Sequence, residues 1–107
     1  MGHNSEVTVA RHNITREAQD SYAITSYHRS AAAWARGFFS AEICPVEIAS
    51  KRGVTVFDED EEYMRFIAEK FPTLRPVFAP DGTITAGNAS TINDGAAALV
   101  LMSLNKA

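Results

Sequence analysis

The stretch Asp81 to Met102, DGTITAGNASTINDGAAALVLM, decides how the rest of the chain is read. Asp81-Gly82 is a turn signal, and the β-branched run Thr83-Ile84-Thr85 that follows predicts a strand. Gly87-Asn88 then breaks that strand where the chain needs a sharp bend or a positive φ. Ala86, Gly87, Ala89 and Ser90 are all small, so another body can approach the backbone closely. Past a second break at Asn93-Asp94-Gly95, the run Ala96 to Met102 is purely apolar and predicts a strand buried on both faces. Its period alone leaves a short buried helix open. A strand, a bend of small residues and a buried strand fit a ligand-facing edge on a rigid support. A hairpin with a tight loop accounts for the same residues.

Upstream, the firmest prediction is a helix from Thr15 to Arg36. Thr15 is a candidate N-cap, Glu17 suits the positive end of the helix dipole, and Gly37 is the expected stop. Ile24, Tyr27, Ala31 and Trp34 fall on one face, while Tyr22 lies on a different side. Ser5 to Arg11 predicts a shorter helix ending at His12-Asn13. Ile43 to Ala49 and Val54 to Phe57 predict a hairpin across Lys51-Arg52-Gly53, with Pro45 marking an edge. Asp58 to Glu62 is an acidic run of the kind that opens a solvated helix, and Tyr63 to Lys70 predicts a short helix ended by Phe71-Pro72. Leu74 to Phe78 extends towards the bend, and Ser103 resembles the cap of a final helix.

Composition narrows the function. At 107 residues and 46% hydrophobic, the chain is at most one ordinary domain, with marginal stability of its own. A net charge of −3 gives no basic field for nucleic acid. No apolar run approaches the ~20 residues that cross a bilayer. The single Cys44 excludes an internal disulfide, and its strand-like setting predicts a buried structural thiol. The polar His3 to Glu6 stretch does not match a signal or transit segment. Asn13-Ile14-Thr15 and Asn88-Ala89-Ser90 fit the glycosylation sequon, but the first sits at a helix cap and the second in the bend.

Three segments, taken together, resemble one family in order along nearly the whole chain. They are residues 1–40 (MGHNSEVTVARHNITREAQDSYAITSYHRSAAAWARGFFS), 58–78 (DEDEEYMRFIAEKFPTLRPVF) and 85–103 (TAGNASTINDGAAALVLMS). The chain is similar to the thiolase family, and within it to the mitochondrial-type acetyl-CoA acetyltransferases. The resemblance implies an α/β fold class in which residues 1–107 form part of the N-terminal and loop domain. That part comprises loop-domain helices, a hairpin and one core strand of an incomplete sheet. It implies Claisen condensation of two acyl-CoA molecules, or its reverse, in homo-oligomeric enzymes. It also implies a mitochondrial location, with a cytoplasmic one otherwise.

The same resemblance assigns site residues. Tyr27, in Ser26-Tyr27-His28-Arg29-Ser30, matches a tyrosine that binds both coenzyme A and a potassium ion. By the residues alone, Tyr27 either fills the core beside Trp34 or points its hydroxyl at the bend. Arg65-Phe66-Ile67 matches an Arg-Val-Asp segment, Lys70 a CoA-contacting lysine, and Ser90 a serine on the pantetheine arm. Arginine and lysine suit the phosphates of CoA, whereas Ile67 lacks the family's carboxylate. Phe78 packs along the ligand or in the core. The carbonyls of Ala86, Gly87 and Ala89 are implied potassium ligands, Gly87 standing where close relatives carry alanine.

The family's reaction needs a cysteine nucleophile, an activating histidine and a second cysteine. Cys44, in Ile43-Cys44-Pro45-Val46, does not match the nucleophile segment, and His3, His12 and His28 lack the Gly-His-Pro setting. The expectation is therefore a fragment or truncated product that binds acyl-CoA without catalysing its reaction. The alternative is a stand-alone, non-catalytic acyl-CoA-binding module. No catalytic residue is assigned within the chain.

Overall fold

The computed structural model describes residues 1–107. Helix α1 spans Gly2–Arg11 and ends where Asn13 takes a positive φ of 51°. Helix α2 spans Arg16–Ala35, starting where the Thr15 hydroxyl accepts the Ala18 N–H at 3.1 Å. Gly37, at φ 69°, closes it with a paired turn: Phe38 N donates to Ala33 O and Gly37 N to Trp34 O. The strands β1 (Val46–Ser50) and β2 (Gly53–Phe57) form an antiparallel hairpin, in register from Val46–Phe57 to Ser50–Gly53. Two 3₁₀ turns, Tyr63–Arg65 and Ala68–Thr73, then pack along α2. The predicted Thr15 cap, the Gly37 stop and the hairpin are present.

Very little of this is buried. Phe71, Ile84, Thr85 and Asp20 are the only buried residues, and two of the four are polar. The radius of gyration is 18.6 Å, against the roughly 13 Å of a compact domain of this length. The accessible surface is 9276 Å², where about 5,900 Å² suits a monomer of this mass. Every residue of the hairpin is exposed, so its apolar residues Val46, Ile48, Val54 and Val56 cover nothing. Apolar burial therefore centres on one small cluster, where α2 meets residues 63–89.

The structure departs from the sequence reading at five places. Thr83 to Thr85 is not a regular strand. It makes one bridge, Pro76 to Thr85, and Val77 N donates to Ile84 O at 2.9 Å. The Thr83 and Ile84 N–H groups go to the Glu6 carboxylate at 3.0–3.1 Å, the acceptor that a neighbouring strand would otherwise supply. Second, Ala96 to Met102 is irregular and exposed, with Leu99 at 89% and Leu101 at 91%, so the expected core strand does not form. No segment of this chain pairs with it, and an unpaired strand has no ladder to hold it extended.

Third, the predicted Tyr63 to Lys70 helix is broken. Phe66 adopts an extended φ, ψ of −69°, 130° between the two 3₁₀ turns, and Pro72 lies within the second turn rather than after it. Fourth, Cys44 is exposed and precedes β1, because the strand begins only after Pro45. Finally, Ser103 opens a single turn, with Lys106 N and Ala107 N both donating to its carbonyl, rather than a helix.

Glu6 is the main tie between α1 and the approach to the bend. The Ile84 N–H holds its carboxyl below its ordinary value of 4.5, with smaller help from the Thr83 N–H and hydroxyl and from His3. A depressed folded value contributes stability above the unfolded one and loses it as pH falls through the folded one. Wild type should thus be more resistant to urea than Glu6→Gln near neutral pH, and the gap should close as pH drops from about 5 to about 3. A gap that stays constant across that range would remove Glu6 as the anchor.

Candidate ligand site

The site is built from the first turns of α2. Arg16 Nε donates to Asp20 Oδ2 at 2.7 Å, one turn apart on the same face. Arg16 Nη2 reaches across to the carbonyls of Phe71 (2.7 Å) and Leu74 (3.1 Å), fixing the second 3₁₀ turn against the helix. The other Asp20 oxygen accepts from Asn88 Nδ2 at 2.9 Å. Asn88 is thereby held in the middle of the bend. Its Nδ2 also donates to Thr83 O (3.1 Å), and its Oδ1 accepts the Thr85 N–H (2.8 Å). Thr85, fully buried, completes the turn: its hydroxyl accepts from Gly87 N and its carbonyl from Ala89 N. Nearby, Gln19 Nε2 donates to the Thr83 hydroxyl at 2.9 Å.

Tyr27 lies two helical turns beyond Asp20 on the same face. Its ring stacks on Phe66, centroids 4.7 Å apart and planes 11° from parallel, and meets Phe71 edge-on at 6.1 Å. His28 closes on the edge of Phe66 at 5.2 Å. The extended backbone at Phe66 allows this stack; a continuous helix would have carried the ring round the axis. Further along, Trp34 packs between Phe39 and Tyr63. The Tyr27 ring packs on Phe66 and Phe71 rather than beside Trp34, and the residue borders both cavities beside the bend.

Two cavities meet at Tyr27, Glu62 and Gly87. The smaller, about 230 Å³, is lined by Arg65, Phe66, Ile67 and Lys70 on one wall and by Ala86 on the other. The larger, about 770 Å³, runs between Ser26, Ser30 and the bend residues Asn88, Ala89 and Ser90, with Glu59 to Glu62 along its far side. The structure thus brings every site residue assigned by resemblance to these two cavities. Phe78 is not among them; it rests on α1 at Gly2 and His3. Cys44 and the three histidines are absent from both linings.

The electrostatics divide along the same line. The small cavity carries Arg65 and Lys70, with Arg65 Nη2 paired to Glu61 at 2.5 Å. The large one is acidic. Its Tyr63 hydroxyl donates to Glu59, which pushes the phenol up to about 12. Tyr27 is also raised, first by desolvation and then by the Glu62 charge, so its hydroxyl stays protonated. The Tyr27 hydroxyl and the carbonyls of Ala86, Gly87 and Ala89 form no hydrogen bond within the chain. They are free oxygen donors beside an acidic wall, a set that fits a hard monovalent cation. The sequence reading missed Arg16, Gln19, Asp20 and Asn88, which hold the site together, and Glu6, which ties α1 to Thr83 and Ile84 ahead of the bend.

Comparison with known proteins places the chain in context. A profile of the thiolase N-terminal domain matches residues 1–105. The mitochondrial acetyl-CoA acetyltransferase B of Xenopus laevis is 53% identical over the whole chain, which covers 26% of that protein. The chain spans about a quarter of the length of the curated relatives it matches. Among solved structures, the acetyl-CoA acetyltransferase of Bacillus anthracis superposes with a TM-score of 0.89 at 44% identity, covering 99% of this chain and 27% of that one. A thiolase of Ascaris suum in complex with coenzyme A superposes at 0.73 and 51% identity, over 84% of this chain and 22% of that one.

Gly87 is pressed against the cluster. A Cβ added there would lie 2.8 Å from Leu74 Cδ1 and 2.9 Å from Phe71 Cε1. Gly87→Ala should therefore cost about 1–2 kcal/mol, the overpacking penalty exceeding the entropic gain of losing a glycine. Shortening Phe71 to leucine in the same chain should recover part of it. Urea midpoints of wild type and the two variants check this, and a stabilising Gly87→Ala would contradict the packing.

Proposed function

The chain belongs to the thiolase family by its N-terminal domain, and from that premise we propose that it binds coenzyme A thioesters for acyl transfer between them. The reaction is Claisen condensation or thiolysis of the acetyl-CoA acetyltransferase kind, in a mitochondrial setting. The observation that carries this reading is the meeting of the two cavities at Tyr27, with basic residues on one side and a bend of small residues on the other.

Each group has a role that its chemistry supports. Arg65 and Lys70 offer charge-assisted bonds to the phosphates of the carrier. Phe66 and Ile67 give an apolar wall beside them, and the Tyr27–Phe66 stack keeps that wall rigid. Ser90, with Ala89 next to it, lets the pantetheine arm pass close to the backbone. Ala86, Gly87 and Ala89 would hold a potassium ion through their carbonyls, with the neutral Tyr27 hydroxyl as a fourth donor. Such an ion would supply fixed positive charge that stiffens the bend next to an anionic ligand. Its ligands are backbone, so glycine serves at 87 as well as alanine.

Bond making is not assigned to these residues. Covalent acyl transfer needs a nucleophile with a base in hydrogen-bond reach. Neither cavity offers a cysteine or histidine, and Cys44 stands exposed ahead of the hairpin. The chain therefore contributes carrier binding and orientation.

Calorimetric titration with coenzyme A tests the reading. Wild type should bind, and Arg65→Ala or Lys70→Ala should each weaken binding by about 1 kcal/mol, roughly fivefold, with a lower salt dependence. Acetoacetyl-CoA should not be cleaved by the purified chain. No heat at millimolar coenzyme A would overturn the binding role, and turnover by this chain alone would overturn the division of labour.

A further inference from the structure

The buried charged group outside the cavity walls is the Asp20 carboxylate. It is 7% exposed, lines neither cavity, and spends one oxygen on Arg16 and the other on Asn88. Through Arg16 it fixes the carbonyls of Phe71 and Leu74, in the segment that carries Lys70. Through Asn88 it fixes the bend, because the Asn88 amide holds Thr83 O and Thr85 N together. Both walls of the small cavity are thus referred to one side chain on α2, the helix that also carries Tyr27.

We propose that Asp20 is a positioning residue for ligand binding: its bond to Asn88 sets the spacing between Tyr27 and the Ala86–Ser90 bend without touching the ligand. This rests on the coenzyme A reading for the identity of the ligand, but the geometry it describes does not. The donor and acceptor pattern makes the role specific. Asp20 is needed as an acceptor on both oxygens, towards Arg16 Nε and towards Asn88 Nδ2. An asparagine of the same shape has one acceptor oxygen and one NH₂ group. With its oxygen taken by the Arg16 cation, its NH₂ faces the NH₂ of Asn88, and the two donors repel. Changing Asn88 to aspartate in the same chain restores a donor and acceptor pair at that contact, while the Thr85 N–H keeps its acceptor. Only the bond to Thr83 O is then lost.

The test measures two things on the full chain in Asp20→Asn, in Asp20→Asn/Asn88→Asp and in Glu6→Gln. The first is amide hydrogen exchange at Gly87 and Ala89, whose N–H groups are bonded to Thr85 only while the bend is closed. The second is the calorimetric Kd for coenzyme A. Asp20→Asn should speed exchange at Gly87 and Ala89 beyond the change at α2 amides and weaken coenzyme A about tenfold. The double variant should recover at least half of both effects on a logarithmic scale. Glu6→Gln, whose bonds end at Ile84, should lose stability with an unchanged Kd, which separates positioning from general loosening.

The inference is overturned if the bend amides exchange no faster in Asp20→Asn, if they do so with an unchanged Kd, or if the double variant recovers neither measure. Should wild type fail to bind coenzyme A, the proposed function falls, while the exchange data still decide whether Asp20 holds the bend.

Discussion

Everything near the site is referenced to one buried carboxylate. A carboxylate out of water is costly unless each oxygen finds a donor. Asp20 finds two, and they come from different places: Arg16, one turn back on the same helix, and Asn88, on a loop 68 residues away. The first bond is close to obligatory once α2 forms, because residues four apart face each other. The second is conditional. It exists only if the bend arrives with its amide facing the helix, so the helix selects one placement of the bend from those its small residues allow. Breaking it would leave a charged acceptor short of a partner in a poorly hydrated setting, which makes the selection steep.

The consequence is a fold held more by side chain to backbone bonds than by a core. Around Thr83 to Asn88, Glu6 accepts two backbone N–H groups, Asn88 takes one N–H and one carbonyl, and the Thr85 hydroxyl accepts a fourth N–H. A neighbouring strand would normally satisfy such groups. Here side chains do so, and the backbone is left free to bend immediately afterwards. The carbonyls of Ala86, Gly87 and Ala89 accept no hydrogen bond within the chain. The apolar contribution is small by comparison: Phe71 and Ile84 are the only buried hydrophobic residues. At the far end, Leu99 to Leu104 remain in solvent, since the irregular backbone there presents no ladder and no apolar face meets them.

What could be read from the sequence follows the range of the forces involved. The Thr15 cap, the Gly37 stop and the hairpin act within a few residues and were legible, although Gly53, read as part of the turn, pairs with Ser50. So was the shared face of Ile24, Tyr27, Ala31 and Trp34. The break at Phe66 was not, because Met64 to Lys70 is compatible with a helix by propensity; the stack with Tyr27 overrides it, and that ring lies on another element. Likewise, β-branched Thr83 to Thr85 favours a strand until Glu6, 77 residues earlier, claims its N–H groups. Arg16, Asp20 and Asn88 look like ordinary helix and turn residues one at a time. Their meaning lies in a pairing across the chain, which one sequence does not display. The candidate ligand positions became readable through family resemblance, and their common location was visible only in three dimensions.

The division of charge across Tyr27 gives the site a direction. Arg65 and Lys70 border the small cavity and Glu59 to Glu62 the large one, with Glu62 and Tyr27 shared by both and Arg65 paired to Glu61. Between exposed side chains such attractions and repulsions are screened by water and are worth up to about 1 kcal/mol each. A ligand with phosphates at one end and a neutral arm at the other therefore has one favourable orientation: phosphates beside the basic wall, arm along the small residues of the bend. Reversing it sets anions against the acidic run. The tyrosine is suited to the boundary because its raised phenol stays neutral. It can donate to an anion or accept a cation without adding a charge that would blur the division.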